Sequence, residues 1–180
     1  EVFLGTFGKA TDPASGGRQL PVHWGSTRLN IPSQSSPTGT QFLQAVGTAL
    51  ALVKRGEKNI SYVSSGEGTT SQGEFHEAVN WASREKLPVL FVIQNNKYAI
   101  SVPVSAQSGG KDHSIAEMMA GFSTLYRLRI DGTDFFQSFE KIQEAIEYIK
   151  AGKGPALIEA DVVRLESHSS SDDQKEYRDK

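Results

Sequence analysis

The chain has 180 residues, 37% of them hydrophobic and 22% charged, with a formal net charge of −2. This composition suits one globular domain with a sizeable core and excludes an intrinsically disordered chain. The charge balance leaves no basic footprint for nucleic acid, the absence of Cys removes disulfides and thiolate metal sites, and the longest apolar run, Val89 to Ile93, is too short to span a bilayer.

Residues 1–37 are dense in Gly and Pro, from Gly5 to Pro37, and are expected to run as an irregular entry segment. From Thr40, Phe42, Leu43, Val46, Leu50 and Val53 recur at helical spacing until Gly56. Gly47 inside that run is expected to mark a close approach. Ile60 to Ser64 reads as a buried strand, followed at once by the turn Gly66-Glu67-Gly68. Glu74 to Lys86 reads as a helix with Phe75, Val79 and Ala82 on one face, and Val89 to Ile93 as a second strand ending at Gln94-Asn95-Asn96. Strand, turn, helix and strand make a βαβ unit with a right-handed crossover.

Ser105 to His113 is polar and Gly-rich and reads as a mobile loop. Ile115 to Phe122 reads as a short helix and Leu125 to Ile130 as a half-buried strand. Phe135 to Lys150 is an amphipathic helix with Phe139, Ile142, Ile146 and Ile149 on its apolar face. Pro155 to Val163 gives a last strand, and 167–180 reads as a flexible loop. The expected fold is a single α/β domain over residues 1–180, a mainly parallel sheet with helices on both faces. Both ends read as cut, so the expectation is the central fragment of a longer subunit.

Gly66-Glu67-Gly68-Thr69-Thr70-Ser71 lies where a strand ends and a helix follows. In open α/β sheets ligands bind outside the carboxyl ends of the strands, and glycines there let a phosphate approach backbone N–H groups. The run is neither a dinucleotide fingerprint, since Ser71 stands at the third Gly, nor a P-loop. For a Gly-x-Gly alone, a tight turn is the favoured reading. Glu67 is costly between two glycines at a strand end unless hydrated, paired or bound to a cation. If the two strands are neighbours, its carboxyl and the Asn95-Asn96 amides converge into an oxygen set of the kind magnesium takes; two unrelated loop residues remain the plainer alternative. Ser35 to Gln41 reads as a helix N-terminus capped by Thr38 or Gly39. Arg164 to Asp173 reads as a polar loop with a solvated His168.

These residues also carry a resemblance. Gly66-Glu67-Gly68 followed by Asn95-Asn96 resembles the thiamine-diphosphate signature. Ser71-Gln72-Gly73-Glu74-Phe75-His76-Glu77 and Lys97-Tyr98-Ala99-Ile100-Ser101-Val102-Pro103 resemble the alpha subunit of the 2-oxoacid dehydrogenases, and the similarity runs from Pro21-Val22-His23-Trp24-Gly25 to Asp172-Asp173. The resemblance implies that Glu67 and Asn96 side chains and the Tyr98 carbonyl hold magnesium. It implies that Gly66, Gly68 and Thr69 meet the diphosphate, with Gln94 close by, and that Ser36 and Thr38 lie along the cofactor. It implies potassium at Ser35, Pro37, Thr40 and Gln41, an active-site role for His168, and phosphorylation positions at Ser169 and Ser171. Glu67, where Asp is the other choice, leans toward branched-chain members. Thr38 replaces a usual apolar residue and Ser167 a usual Gly or His, which puts the contact under the cofactor's bend and the loop's path in question.

The implied activity is oxidative decarboxylation of a 2-oxo acid, 2-oxoisovalerate-like by preference, with acyl transfer to the lipoamide of a partner acyltransferase. The implied partner is a beta subunit, separate or fused, in an α2β2-type assembly, in a bacterial cytoplasm or the mitochondrial matrix. The 180 residues alone are expected to be inactive. A pyruvate or acetoin dehydrogenase alpha subunit and a non-catalytic diphosphate-binding module are the alternatives.

Overall fold

The computed structural model describes residues 2–20, 22, 23 and 25–178. Pro21 and Trp24 of the resembling stretch, and the expected cut end at Lys180, lie outside the described residues. A short helix, α1 (Val2–Thr6), opens the chain, and a turn of 3-10 helix at Thr27–Leu29 follows. The irregular path expected over 1–37 is corrected here. Phe7 N–H reaches Phe3 O at 3.0 Å and closes a helical turn before Gly8 takes a left-handed φ of 58°. Within 167–180, expected as a flexible loop, Gln174–Glu176 forms a 3-10 turn capped by Asp173.

α2 (Thr40–Lys54) starts at Gly39, whose φ of 100° only glycine adopts easily, and buries Phe42, Ala45, Val46 and Ala49. β1 (Ser61–Gly66) runs directly into a 3-10 turn, Glu67–Ser71, and α3 (Gly73–Glu85) follows. β2 (Val89–Asn95) is apolar on both faces, as befits a central parallel strand. A two-residue hairpin, β3 (Tyr98–Ala99) with β4 (Val102–Pro103), leads into the segment expected to be a mobile loop. That segment instead forms two 3-10 turns, Val104–Ala106 and Lys111–His113, with Ser108 buried between them. Then come α4 (Ile115–Met118), β5 (Tyr126–Asp131), α5 (Phe135–Lys150) and β6 (Ala156–Asp161).

The main sheet has order β1-β2-β6-β5 and every pair in it is parallel. Side-chain alternation sorts the core into two layers. Val63, Phe91 and Leu157 face α2, α3 and α4, where Phe42 and Phe75 pack with ring centroids 5.0 Å apart. Leu90, Val92, Ala156 and Ile158 face α5. Each fully buried Phe, Leu or Ile contributes about 1.5–3 kcal/mol of apolar transfer, which is what holds helices to both faces.

Two helical expectations change. A Cβ on Gly47 would meet nothing within 4 Å, so no close approach requires this glycine. On α5 the core contacts come from Ile142, Ala145, Ile146 and Ile149, while Phe139 is 60% exposed because it sits on the flank shared with Phe135 and Phe136.

Candidate functional site

β1 and β2 are paired in parallel with Gly66 opposite Gln94, so the residues that follow each strand emerge side by side. Glu67, 1% exposed, opens the 3-10 turn, and its Oε2 accepts the Asn96 N–H at 3.1 Å. Oε1 is buried without a hydrogen-bond partner among the described residues. Burial pushes the Glu67 carboxyl above its ordinary pKa, against the lowering influence of backbone N–H groups and of Lys97 and Arg164. A buried acid with one satisfied and one orphaned oxygen is costly as it stands, and a cation is one partner that could meet the free oxygen.

The rest of the donor set is built by one turn. Asn95 Oδ1 accepts the Lys97 N–H at 3.0 Å and Asn96 Oδ1 accepts the Tyr98 N–H at 3.2 Å, two Asx-type bonds that fold the chain back after β2. Lys97 takes a φ of 75° and the β-branched Ile100 a φ of 54°, strained conformations held by these neighbours. Lys97 Nζ pairs with Asp161, which also accepts Arg129 Nε at 2.8 Å. Partial burial works to raise the Asp161 carboxyl, but the bonds from Arg129 and Lys97 outweigh it and hold the group below its ordinary range. Gly68 fits beneath this turn because it has no side chain: a Cβ there would lie 2.4 Å from Ala99 Cβ. Glu67, Gly68, Asn96 and Tyr98 therefore share one neighbourhood: the pairing of β1 with β2 brings Glu67 to the Asn pair, whereas the place of Gly68 and Tyr98 was expected from the resemblance alone. No group of three or more His, Cys, Asp or Glu able to hold a metal occurs among the described residues, so a cation here would rest on mixed carboxylate, amide and carbonyl oxygens.

A cleft beside the 3-10 turn is lined by Ser36, Thr38, Gln41 and Thr69. At its edge Thr40 Oγ1 donates to Pro37 O at 3.0 Å and lies against Ser35 Oγ. Gln41 bridges Gly39 N–H and Ser65 Oγ at 3.1 and 3.2 Å. Ser36 Oγ lies 3.0 Å from His23 Nε2. The expected potassium residues thus share one neighbourhood with the expected cofactor residues. Gln94 does not join them: it is exposed and shares the sheet face of Leu90 and Val92, opposite that of Ser65.

His168 is exposed, and its backbone N–H donates to Asp172 Oδ2 at 2.8 Å. Asp172 Oδ2 also accepts the Tyr177 hydroxyl at 2.6 Å, and this bond is the main cause of the lowered Asp172 pKa. Tyr177 in turn accepts Arg164 Nη2 at 2.6 Å. Arg164 Nη1 donates to Ile100 O at 2.8 Å, and the guanidinium lies over the Tyr98 and Tyr177 rings, 5.7 and 5.5 Å from their centroids. A continuous chain of contacts thus ties the His168 loop to the turn bearing Asn96 and Tyr98. Ser169 and Ser171 are exposed on that loop, with their hydroxyls 3.2 Å apart.

Two groups escaped the sequence reading. Tyr177 carried no motif and closes its link only through space. Glu159, completely buried, accepts Asn95 Nδ2 at 2.6 Å; an acid inside the apolar run Leu157-Ile158-Glu159-Ala160 was the available signal.

Comparison with known proteins extends the picture. A family model described as the dehydrogenase E1 component matches residues 1–180. The 2-oxoisovalerate dehydrogenase subunit alpha of Bacillus subtilis (strain 168) is 41% identical over 178 residues, which cover 99% of this chain and 53% of that protein. The mitochondrial 2-oxoisovalerate dehydrogenase subunit alpha of Mus musculus is 38% identical over 179 residues, 99% of this chain and 40% of that one. The chain thus spans about half or less of the length of these relatives. Among solved structures, transketolase from Campylobacter jejuni superposes with a TM-score of 0.58 at 25% identity, over 71% of this chain and 20% of that one. An enzyme of Mycobacterium smegmatis assigned to the thiamin diphosphate-dependent class gives 0.56 at 22% identity, over 75% and 24%. These likenesses match the parallel sheet with helices on both faces.

Proposed function

The chain belongs to the dehydrogenase E1 component family, and from that premise we propose that it is the diphosphate- and magnesium-binding part of a thiamine-diphosphate-dependent 2-oxoacid dehydrogenase alpha subunit. The observation that carries the reading is Glu67: a buried carboxyl with Oε1 orphaned and Oε2 bound to Asn96 N–H. When bound, thiamine diphosphate supplies the nucleophilic carbon and the electron sink for loss of carbon dioxide from a 2-oxo acid.

The work of this chain is binding and placement. Glu67, Asn96 and the Tyr98 carbonyl hold magnesium against the diphosphate, as the orphaned Oε1 supports. The backbone N–H groups of Gly68 and Thr69, at the start of their 3-10 turn, meet the diphosphate oxygens. Gly66 lets the phosphates approach at the β1 end, and Gln94 stands at the neighbouring strand end. Ser36 and Thr38 line the cofactor from the α2 side, and Ser35, Pro37, Thr40 and Gln41 form a potassium site beneath them. His168 contacts the 2-oxo acid, held in reach by Asp172, Tyr177 and Arg164. Ser169 and Ser171 are phosphorylation positions on the same loop.

The names of the relatives favour a branched-chain 2-oxo acid over pyruvate or acetoin. The remaining cofactor contacts come from a beta part, separate or fused, in an α2β2-type assembly that passes the acyl group to the lipoamide of an acyltransferase. A lipoamide-linked oxidative decarboxylation assay on several 2-oxo acids, with full-length protein and its partner, tests the reading. Turnover of 2-oxoisovalerate ahead of pyruvate supports it. Turnover by the isolated 180 residues, or none by the complete assembly, overturns it.

A further inference from the structure

We propose that Glu159 is a positioning residue for the magnesium-binding turn, acting through the side-chain amide of Asn95; the proposal rests on the magnesium reading of Glu67 and Asn96 given above. Glu159 lies on β6, register partner of Ile93, and has no exposed surface. Its two oxygens do different work. Oε2 accepts the Ala116 N–H at 2.9 Å and the Ser114 hydroxyl, both at the start of α4. Oε1 accepts Asn95 Nδ2 at 2.6 Å.

The backbone N–H of Ala116 can only donate, so the Glu159 atom facing it must be an acceptor. The other oxygen is then the one that meets Asn95, and there it accepts Asn95 Nδ2, so Asn95 presents its NH2 to the acid. That choice turns Asn95 Oδ1 toward the Lys97 N–H, 3.0 Å away. The bond starts the turn in which Asn96 N–H reaches Glu67 Oε2 and Tyr98 N–H reaches Asn96 Oδ1. The buried acid therefore fixes which way one amide faces, and the amide fixes the backbone that presents the metal donors. Outer-layer partners of metal sites act in this way generally.

The polarity of the relay gives a sharp test. In Glu159→Gln the new amide is the same size as the acid. Its oxygen must stay with Ala116 N–H, so its NH2 faces Asn95. Asn95 must then flip to accept, which puts its own NH2 against the Lys97 N–H, donor against donor. Adding Asn95→Asp restores every bond. One oxygen of the new carboxylate accepts from the amide introduced at position 159, the other accepts from the Lys97 N–H, and the net charge is unchanged.

Magnesium is titrated calorimetrically, in the presence of thiamine diphosphate, into the full-length chain in its native assembly, carrying in turn E159Q, N95D with E159Q, N95A and E67A. The expected result is a loss of magnesium affinity of about 10- to 100-fold for E159Q and for N95A, and recovery of most of it in the N95D/E159Q pair. A merely structural role for Glu159 does not produce that recovery. Parent-like affinity in E159Q, or a double variant no better than E159Q, overturns the proposal. If E159Q does not fold, parent-like affinity in N95A overturns it independently. E67A separates the two levels: if it loses affinity while E159Q does not, the relay alone fails; if it binds like the parent, the magnesium reading falls and the relay with it.

Discussion

Glu67 and Asn96 grow from the ends of adjacent, registered strands, whereas His168 sits well beyond the end of β6 in a segment that no strand pairs. The first pair is fixed by the sheet itself: once Gly66 lies opposite Gln94, the donor atoms can hardly separate. The second is fixed by a few side-chain bonds, Arg164 to Ile100 O and Tyr177, and Tyr177 to Asp172. A site assembled this way has one half that changes little unless the domain unfolds, and one half that can loosen alone.

The largest effect tests the strand-borne half. Glu67→Ala removes a proposed ligand itself and costs more magnesium affinity than the ~10- to 100-fold typical of outer partners, read by equilibrium dialysis of the complete assembly. Retained affinity would break the comparison at its first term.

The loop-borne half responds differently. Tyr177→Phe deletes the hydroxyl that joins Arg164 to Asp172, a loss of about 1 kcal/mol in local order. Residues 165–173 then become a several-fold better protease substrate while the melting temperature barely moves. Limited proteolysis with peptide mapping checks it, and a cooperative loss of the whole fold would show the two halves are not separable.

The acids around the site also titrate with opposite signs. Burial raises the Glu67 pKa above its ordinary 4.5, so the folded, metal-free chain holds that proton more tightly than the unfolded chain. Its stability therefore falls as pH rises from the ordinary value through the raised one, and magnesium affinity falls as pH drops through the raised value, because the proton competes for the carboxyl. The Asp172 and Asp161 pKa values are lowered below 3.8, so their contribution is present above that pH and is lost as pH falls through the depressed values. Denaturation over a pH series should show both limbs, and Glu67→Gln should erase only the upper one.

The smallest effect lies outside the site. Gly47 is exposed in α2 and a Cβ there meets nothing, so Gly47→Ala should raise stability by about 0.5–1 kcal/mol. Chemical denaturation measures it; a loss instead would show that this helix face is covered in the assembled protein.

The sequence was informative where local rules dominate. The helix Phe135–Lys150 was legible to the residue, because Asp134 caps its start by accepting Gln137 N–H and Gly152 follows its end. Strand ends shifted by one or two residues, since the pairing of Gly66 with Gln94 extends both strands beyond their apolar runs. The insertion of β6 between β2 and β5 was not legible, because strand order is decided by packing across the whole sheet. In the site, Gly66-Glu67-Gly68 and Asn95-Asn96 stood out as an acid and amides at strand ends. The 105–113 turns did not, because they are set by burial of Ser108 and by the tight fit of Gly110, where a Cβ would lie 2.0 Å from Ser114 O. Nor did the Arg164–Tyr177 link, which no spacing rule encodes.

The most direct test replaces magnesium with manganese in crystals of the complete assembly with thiamine diphosphate and records the anomalous signal. A single peak within bonding distance of Glu67 Oε1, Asn96 Oδ1 and the Tyr98 carbonyl is the expected result. Crystals that hold the cofactor but place the metal away from Glu67 and Asn96 would contradict it.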